Sequence, residues 1–312
     1  MRAVGVNAYG GPESLEIVDL PEAHASRGEV RLRVYAATVN PTDTYVRNGD
    51  RAEMQKGDSP PYVPGMDAAG VIDEVGEGVG HLAVGDHVMA IVVPKGSHGA
   101  YVESLVLPAD SVAKAPAGAT HAEASTLPMN GLTARLSLDL LGLTAGQTLA
   151  VTGAAGAYGG YVVQLAKADG LVVIADAADA DVALVTSLGA DIVVPRGSGF
   201  ADEVRTHFPS GVDGLADGSV QNDEVISAIG DNGAFTSVRG YKGNEQRGIT
   251  FSTTWVTSYQ LEQERLDGLR QLVEDGAVTL RVAEVFPAER AGDAHARLEA
   301  GGTRGRCVIA FD

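Results

Sequence analysis

The chain has 312 residues, of which 45% are apolar, enough for two domains that each bury a core. Its formal net charge of −18 argues against a nucleic-acid partner or an anionic membrane surface as a partner. A single cysteine, Cys307, excludes an internal disulfide and a multi-cysteine zinc site. The sequence shows no secretory signal and no apolar run of membrane-spanning length, so we expect a cytoplasmic protein.

The first part of the chain consists of short apolar segments separated by glycine and proline turns, a pattern typical of a compact β-barrel. Strands are predicted at residues 1–6, 15–19, 29–37, 68–75, 87–93 and 100–107. The segment 40–64 differs because it is polar and contains prolines. We expect this long segment to be a functional or mobile loop.

From Thr120 onwards the pattern changes to helices that alternate with strands. A helix is predicted over 122–141 with a break at Pro128, because proline lacks the N–H that a helix interior uses. Further strands are predicted at 148–152, 172–176, 191–194, 214–216 and 234–238, and helices at 158–168, 180–188, 200–208 and 222–228. This alternation predicts a parallel sheet with helices on both faces.

After Ser258 the pattern predicts a helix over 261–275, a strand, a helix over 288–300 and a final strand at 306–311. This tail could form a third small unit, or it could return to complete the first barrel. We expect the return, because about forty residues make a poor independent core.

A dinucleotide site is predicted in LAVTGAAGAYGGYVVQLAK, residues 149–167. Gly153, Gly156 and Gly159 lie between a predicted strand and a predicted helix. A pyrophosphate needs close contact with backbone, which a Cβ would block, and it is stabilised by the positive end of a helix. The alternative is a glycine-rich turn that serves packing alone.

Asp176 ends the second predicted strand of this region, where a carboxylate can accept hydrogen bonds from the adenosine ribose. Asp179 and Asp181 lie nearby, and no lysine or arginine occurs between Leu171 and Pro195. These residues favour NADH over NADPH, because a 2′-phosphate would meet repulsion. The alternative is that Asp176 caps a helix and that the phosphate partner lies elsewhere.

The sequence also resembles the quinone oxidoreductase (zeta-crystallin-like) branch of the medium-chain dehydrogenase/reductase superfamily. The motifs that carry the resemblance are NPTDTYVRNG (40–49), PGMDAAGVIDEVGEGV (64–79), AVGDHV (83–88), LPMNGLTA (127–134), GAAGAYGG (153–160) and GGTRGRCVI (301–309). The resemblance implies an α/β fold with a GroES-like barrel domain, residues 1–122 and 272–312, and a Rossmann domain, residues 123–271. It also implies NADPH as cofactor and a homodimer.

Zinc-dependent alcohol dehydrogenases share this fold, but their zinc ligands are absent from the sequence. Gly65-Met66-Asp67 stands where the zinc enzymes have a His-Glu pair, and methionine is a poor substitute for imidazole. We therefore expect a zinc-independent enzyme. A conjugated carbonyl needs less help than an alcohol, since it delocalises charge and requires a hydrogen-bond donor rather than a metal.

The resemblance assigns roles to individual residues. Tyr45 is the expected hydrogen-bond or proton donor to the substrate oxygen, and Asn40 is expected to position it. Thr133 is expected to hold the cofactor through its hydroxyl. Structural alternatives are an aromatic that fills a loop contact for Tyr45 and a bond within its own helix for Thr133. Asp67 is expected to brace the barrel from a buried position.

The sequence departs from the family pattern around the predicted cofactor. Ala157-Tyr158 replaces the usual Gly-Val, and Tyr158 could cover the pyrophosphate or narrow the cleft. DGLADGSVQND replaces a valine-rich stretch, and Arg239 is an unusual residue after its strand. The residues expected to bind the cofactor are Thr133, Gly153, Ala154, Gly156, Ala157, Tyr158, Gly159, Asp176, Gly218, Ser237, Arg239 and Arg304.

Together these features predict reduction of a quinone or another α,β-unsaturated carbonyl compound by NAD(P)H, with a small molecule as the only expected substrate. One alternative is an enoyl-thioester reductase, whose carrier-bound substrate would favour a basic docking patch. Another is a cofactor-binding sensor with vestigial activity. Loss of Tyr45 or of the glycine triplet would favour the sensor, and both are present.

Overall fold

The computed structural model describes residues 1–311 and divides into two compact units. The first comprises Met1–Met129, Thr257–Glu274 and Leu280–Asp312, and the second comprises Asn130–Val256 and Asp275–Thr279. The predicted domain boundaries at 122/123 and 271/272 stay a prediction.

The strands are β1 (Arg2–Gly5), β2 (Glu16–Asp19), β3 (Glu29–Thr38), β4 (Asp67–Val75), β5 (His87–Ile91), β6 (Ser104–Pro108), β7 (Val112–Lys114), β8 (Thr148–Thr152), β9 (Val172–Ala177), β10 (Ile192–Pro195), β11 (Val212–Asp217), β12 (Ile229–Ser237), β13 (Thr250–Thr253), β14 (Val282–Pro287) and β15 (Arg306–Ala310). The helices are α1 (Pro41–Asn48), α2 (His121–Ala124), α3 (Pro128–Leu141), α4 (Ala157–Ala168), α5 (Val182–Ser187), α6 (Phe200–His207), α7 (Gln263–Glu274) and α8 (Ala291–Glu299).

The first unit is built on a mostly antiparallel sheet that uses both ends of the chain. Its strand order among the described residues is β14-β15-β3-β4-β5-β7, and β6 also pairs with β3. The pairing of β15 with β3 confirms that the tail returns to the first unit. Along β3, Val30, Leu32 and Val34 alternate with more exposed residues and enter the core, as expected of a strand with one buried face.

The segment predicted as a loop, residues 40–64, contains helix α1. Two local features start this helix. Pro41 occupies its first turn, where a missing N–H costs nothing, and Asn40 and Asp43 form a reciprocal capping box. Gly49, at a φ of 83°, ends it in the left-handed conformation that glycine adopts readily.

The second unit is a parallel sheet of order β10-β9-β8-β11-β12-β13 in the described part of the chain. β8 is buried along nearly all its length, as expected when helices cover both faces of a parallel sheet. The predicted strand 148–152 is confirmed residue for residue, and β13 is a strand that the sequence pattern did not predict. The expected α/β class with a parallel Rossmann sheet is confirmed. Within residues 1–311, no helix has the length and apolar character that crossing a bilayer requires.

Candidate functional site

The predicted phosphate loop lies between β8 and α4, as the sequence indicated. Gly153 follows β8 directly with a φ of 68°, which favours glycine. Gly156 is the N-cap residue of α4. The first N–H groups of a helix have no partner within it, so this helix start presents donors and a partial positive charge.

The three glycines of this loop differ in what surrounds their missing side chains. A Cβ on Gly159 would lie 2.3 Å from the carbonyl oxygen of Gly153, and a Cβ on Gly153 would lie 3.1 Å from the carbonyl carbon of Gly218. A Cβ on Gly156 would meet the Gly153 oxygen at 3.1 Å and no other atom within 4 Å. A Cβ on Gly153 or Gly159 would therefore meet several protein atoms, whereas a Cβ on Gly156 would meet one backbone oxygen and is otherwise unobstructed.

Asp176 lies beside this loop. Its Oδ1 accepts a hydrogen bond from the Ala154 N–H at 3.0 Å, and the side chain is buried. Burial raises the pKa of this carboxyl, and the bond from Ala154 acts in the opposite direction. Ala178, not Asp176, is the N-cap of the short helix that follows, so Asp176 does not cap that helix. Bracing the phosphate loop is a role that the sequence did not reveal.

Tyr158 turns its side chain into the second unit. Its hydroxyl lies 2.7 Å from the Ser137 Oγ, which in turn lies 3.0 Å from the Thr254 Oγ1. Its ring is close to Gly218, where a Cβ would lie 2.8 Å both from the ring and from the Thr152 carbonyl oxygen. Burial raises the pKa of Tyr158, so the hydroxyl stays protonated.

Gly218→Ala is expected to lower the stability of the protein by about 1–3 kcal/mol, because the new methyl group overpacks against backbone and ring. In the double variant Gly218→Ala/Tyr158→Val the two losses should be less than additive, since removing the ring relieves its contact with the new methyl group but leaves the Thr152 carbonyl in place. Urea unfolding of the variants measures both effects. Strictly additive losses would contradict the contact between Gly218 and Tyr158.

A second polar group at the ends of β8 and β11 was missed by sequence reasoning. Asp217 is fully buried, and its carboxylate accepts hydrogen bonds from the Thr152 Oγ1 at 2.6 Å and the Asn222 N–H at 2.7 Å.

At the end of β12, the Oγ of Ser237 is buried and has no hydrogen-bond partner among residues 1–311. A buried hydroxyl of this kind is costly unless a ligand or water satisfies it.

The remaining residues predicted to bind the cofactor lie in different places. Thr133 is buried within α3, and Ala157 is the first residue of α4. Arg239 is exposed just after β12. Arg304 is exposed in the first unit, in the turn before β15. Within the second unit, the structure therefore gathers the loop glycines, Asp176, Tyr158 and Gly218, and Ala157 lies between Gly156 and Tyr158 at the start of α4.

In the first unit, Asn40 joins two buried carboxylates. Its backbone N–H donates to the Asp43 Oδ2 at 2.8 Å, and its side-chain Nδ2 donates to the Asp67 Oδ2 at 2.6 Å. The Asp67 Oδ1 accepts from the Met129 N–H at 2.6 Å. Burial raises the pKa of both carboxyls to about 7. Asp67 is buried and bridges separate segments, as expected of a bracing residue.

Tyr45 lies on α1 and is partly exposed. The guanidinium of Arg51 lies over its ring, 5.1 Å from the centroid. Sequence reasoning did not single out Arg51. It lies six positions from Tyr45, whereas side chains that meet on one helix are three or four positions apart. Its positive charge beside the ring favours negative charge developing near the phenol.

No group of three or more His, Cys, Asp or Glu side chains within residues 1–311 is arranged to hold a metal ion. At Met66, which lies where the zinc enzymes have their His-Glu pair, the sulfur accepts a hydrogen bond from the Thr42 hydroxyl at 3.1 Å.

Two family models match the chain. The model described as "Alcohol dehydrogenase GroES-like domain" matches residues 26–117, and the model described as "Zinc-binding dehydrogenase" matches residues 188–309. The first match lies in the first unit, where the resemblance placed the GroES-like domain.

Individual proteins resemble the chain over its full length. A chloroplast envelope quinone oxidoreductase homolog from Arabidopsis thaliana is 31% identical, over 99% of this chain and 98% of the relative. A chloroplastic NADPH-dependent alkenal/one oxidoreductase, also from Arabidopsis thaliana, is 30% identical, over 99% of this chain and 79% of the relative. The crystal structure of an NAD-dependent alcohol dehydrogenase is 30% identical with a TM-score of 0.88, over 100% of each chain. The chain is thus an oxidoreductase that belongs to the quinone oxidoreductase-like branch of the medium-chain dehydrogenase/reductase superfamily.

Proposed function

We propose that this oxidoreductase uses NADH or NADPH to reduce quinones or other α,β-unsaturated carbonyl compounds. The observation that carries the proposal is the open side of Gly156 in a loop whose other glycines are closed in by protein. Packing alone explains Gly153 and Gly159. At Gly156 packing offers one contact, to the Gly153 oxygen, and leaves the rest of the side-chain space empty, whereas a bound pyrophosphate would use that space.

The second unit has further features that fit a dinucleotide. The N-terminus of α4 follows Gly156 and favours a negative phosphate group. Asp176 offers a carboxylate at the same loop for ribose hydroxyls. The Ser237 hydroxyl at the end of β12 needs a polar partner. When bound, the reduced nicotinamide supplies the hydride that a conjugated carbonyl accepts at carbon.

The substrate oxygen is assigned to residues of the first unit. Tyr45 donates a hydrogen bond to the oxygen as negative charge develops there, and Arg51 beside its ring adds a favourable charge. Asn40 acts by position, because its amide is held by Asp67 and its N–H by Asp43. Stabilisation of the oxyanion by fixed donors is the larger part of catalysis in such reactions.

Zinc independence is part of the proposal and rests on the donor atoms. The oxygens of Asp43 and Asp67 already accept hydrogen bonds from Asn40 and neighbouring groups, and Met66 offers a thioether. Activity should survive dialysis against a chelator, with less than stoichiometric zinc by elemental analysis. Loss of activity that zinc restores would refute this part.

The expected homodimer stays a prediction, which analytical ultracentrifugation checks.

The proposed activity is tested by following oxidation of NADH and of NADPH with 1,4-benzoquinone, phenanthrenequinone and a crotonyl thioester. We expect turnover of at least one quinone. Turnover of the thioester alone would favour the enoyl-thioester reductase. Binding of either dinucleotide without turnover of any of these compounds would favour the sensor.

Asp176→Asn is expected to raise the ratio of kcat/KM for NADPH to that for NADH by about tenfold or more, equivalent to about 1.4 kcal/mol. The amide oxygen still accepts from the Ala154 N–H, so the loop keeps its brace while the charge that repels a 2′-phosphate is removed. Asp202→Asn removes an exposed charge on α6 of the same unit and serves as control. An unchanged ratio, or a wild type that strongly prefers NADPH, would refute the ribose assignment.

A further inference from the structure

A buried chain of hydrogen bonds in the first unit connects helix α8 to the start of helix α1. The Arg47 Nη1 lies 3.3 Å from the His295 Nδ1, and the His295 Nε2 lies 3.1 Å from the Tyr101 hydroxyl. The Tyr101 hydroxyl lies 3.1 Å from the Asp43 Oδ2. All four side chains are buried, so water does not compete for these bonds.

The direction of each bond follows from Arg47, which has donors and no acceptor. The His295 Nδ1 must therefore accept, and a neutral imidazole then carries its proton on Nε2. Burial, with the charge of Arg47, lowers the pKa of His295 to about 3, which keeps the ring neutral. Nε2–H donates to the Tyr101 oxygen, and the Tyr101 O–H is left to donate to Asp43.

Asp43 stands at the accepting end of this chain. It also accepts from the backbone N–H groups of Asn40 at 2.8 Å and Gly65 at 3.2 Å. Every neighbour in this arrangement donates, so the arrangement suits the carboxylate and not the carboxylic acid. Burial works against it by raising the pKa of Asp43 to about 7, and the Tyr101 bond lowers that pKa.

Helix α8 also holds the other end of α1. The Arg47 Nη2 donates to the Glu299 Oε1 at 2.6 Å, and its Nε donates to the Gly10 carbonyl at 3.2 Å. His295 is thus linked by hydrogen bonds to both ends of α1, to Arg47 directly and to Asp43 through Tyr101. Tyr45 lies between these two attachment points, Asp43 and Arg47, and the Asn40 N–H donates directly to the Asp43 carboxyl.

We propose that His295 is a positioning residue, which through Tyr101 and Arg47 fixes Asp43 as an acceptor and so holds α1 with Asn40 and Tyr45 in place. The catalytic meaning of this inference rests on the proposed function, but the hydrogen-bond chain does not. The titratable and charged groups that face Asp43 or its partners are Arg47 on α1, Asp67 on β4, Tyr101, His295 and Glu299 on α8, and Arg306 and Cys307 on β15.

Tyr101→Phe tests the hydrogen-bond chain without any assay of activity. The variant loses the bond that favours the Asp43 carboxylate, so its loss of thermal stability should be larger at about pH 8.5 than at about pH 5.5, where Asp43 is protonated in both proteins. We expect the two losses in Tm to differ by at least about 3 °C. Tyr35→Phe, the same change on β3, should show no such difference. Equal losses of Tm for Tyr101→Phe at the two pH values would overturn the proposal.

Two His295 variants test the link to catalysis. His295→Gln keeps an acceptor for Arg47 and a donor for Tyr101, whereas His295→Leu removes both. In His295→Leu, kcat should fall about tenfold, and the acid limb of the plot of kcat against pH should move to higher pH. The KM for the dinucleotide should stay unchanged. His295→Gln should restore most of kcat and the wild-type limb.

Equal defects in the two variants would show that His295 acts by packing alone, against the proposal. If His295→Leu does not fold, Tyr101→Phe supplies the same comparison. A pH-dependent loss of Tm in a protein that reduces none of the test compounds would refute the proposed function and leave the hydrogen-bond chain supported.

Discussion

Replacing Gly156 with valine is expected to raise the dissociation constants of NADH and NADPH at least about 100-fold, equivalent to about 2.7 kcal/mol. The new side chain points into the open space beside the loop, where the diphosphate would contact bare backbone. The fold should change little, since its Cβ meets only the Gly153 oxygen at 3.1 Å within the protein. Losing glycine at this N-cap costs about 1 kcal/mol, or a few degrees in Tm. Fluorescence titration and thermal unfolding measure the two effects.

Gly159→Ala is the matched comparison. Its Cβ would lie 2.3 Å from the Gly153 carbonyl oxygen and 2.9 Å from the Ala154 Cα, and backbone atoms cannot move aside as a flexible side chain can. We expect this smaller substitution to lower the stability by about 1–3 kcal/mol and to weaken binding through distortion of the loop. Wild-type dinucleotide affinity in Gly156→Val would remove the central argument for the site.

The phosphate loop could be predicted because all its signals are local. An apolar strand, three glycines and a mostly apolar helix follow one another within 149–167, and the structure has β8 and α4 there. Helix α1 also had a local signal, since Asn40-Pro41 followed by Asp43 is a helix start. The polar composition of 40–64 outweighed it, so the helix over 41–48 was not predicted within the expected loop.

Other parts of the site depend on contacts between distant segments. Tyr101 and His295 are 194 positions apart, and neither has a neighbour in sequence that indicates a partner. The orientation of Tyr158 depends on Ser137 and Gly218, which come from other elements of the second unit. Asp176 was visible as a carboxylate at a strand end, but its bond to Ala154 follows from the loop conformation. Tertiary contacts of this kind leave no periodic pattern in a single sequence.

Tyr45→Phe is expected to lower kcat about 100-fold with quinone substrates, the usual effect of removing one hydrogen-bond donor from a developing oxyanion. The ring stays, so its contact with Arg51 at 5.1 Å and the packing of α1 are kept. The KM for the dinucleotide should stay within about threefold, because a donor that acts mainly in the transition state changes kcat more than binding. Steady-state kinetics with NADH and with NADPH give both parameters.

Tyr62→Phe is a suitable control, since it removes a hydroxyl of the same unit that donates to the Asp58 carbonyl oxygen at 3.3 Å. Its kcat should stay within about twofold of wild type. Wild-type kcat in Tyr45→Phe would mean that the oxygen receives its hydrogen bond from another group, and Tyr45 would then be an aromatic that only packs beside Arg51. A fall in kcat for Tyr45→Phe alone, with Tm unchanged, separates the loss of a proton donor from a loss of structure, because the phenol oxygen is the one atom that this variant removes.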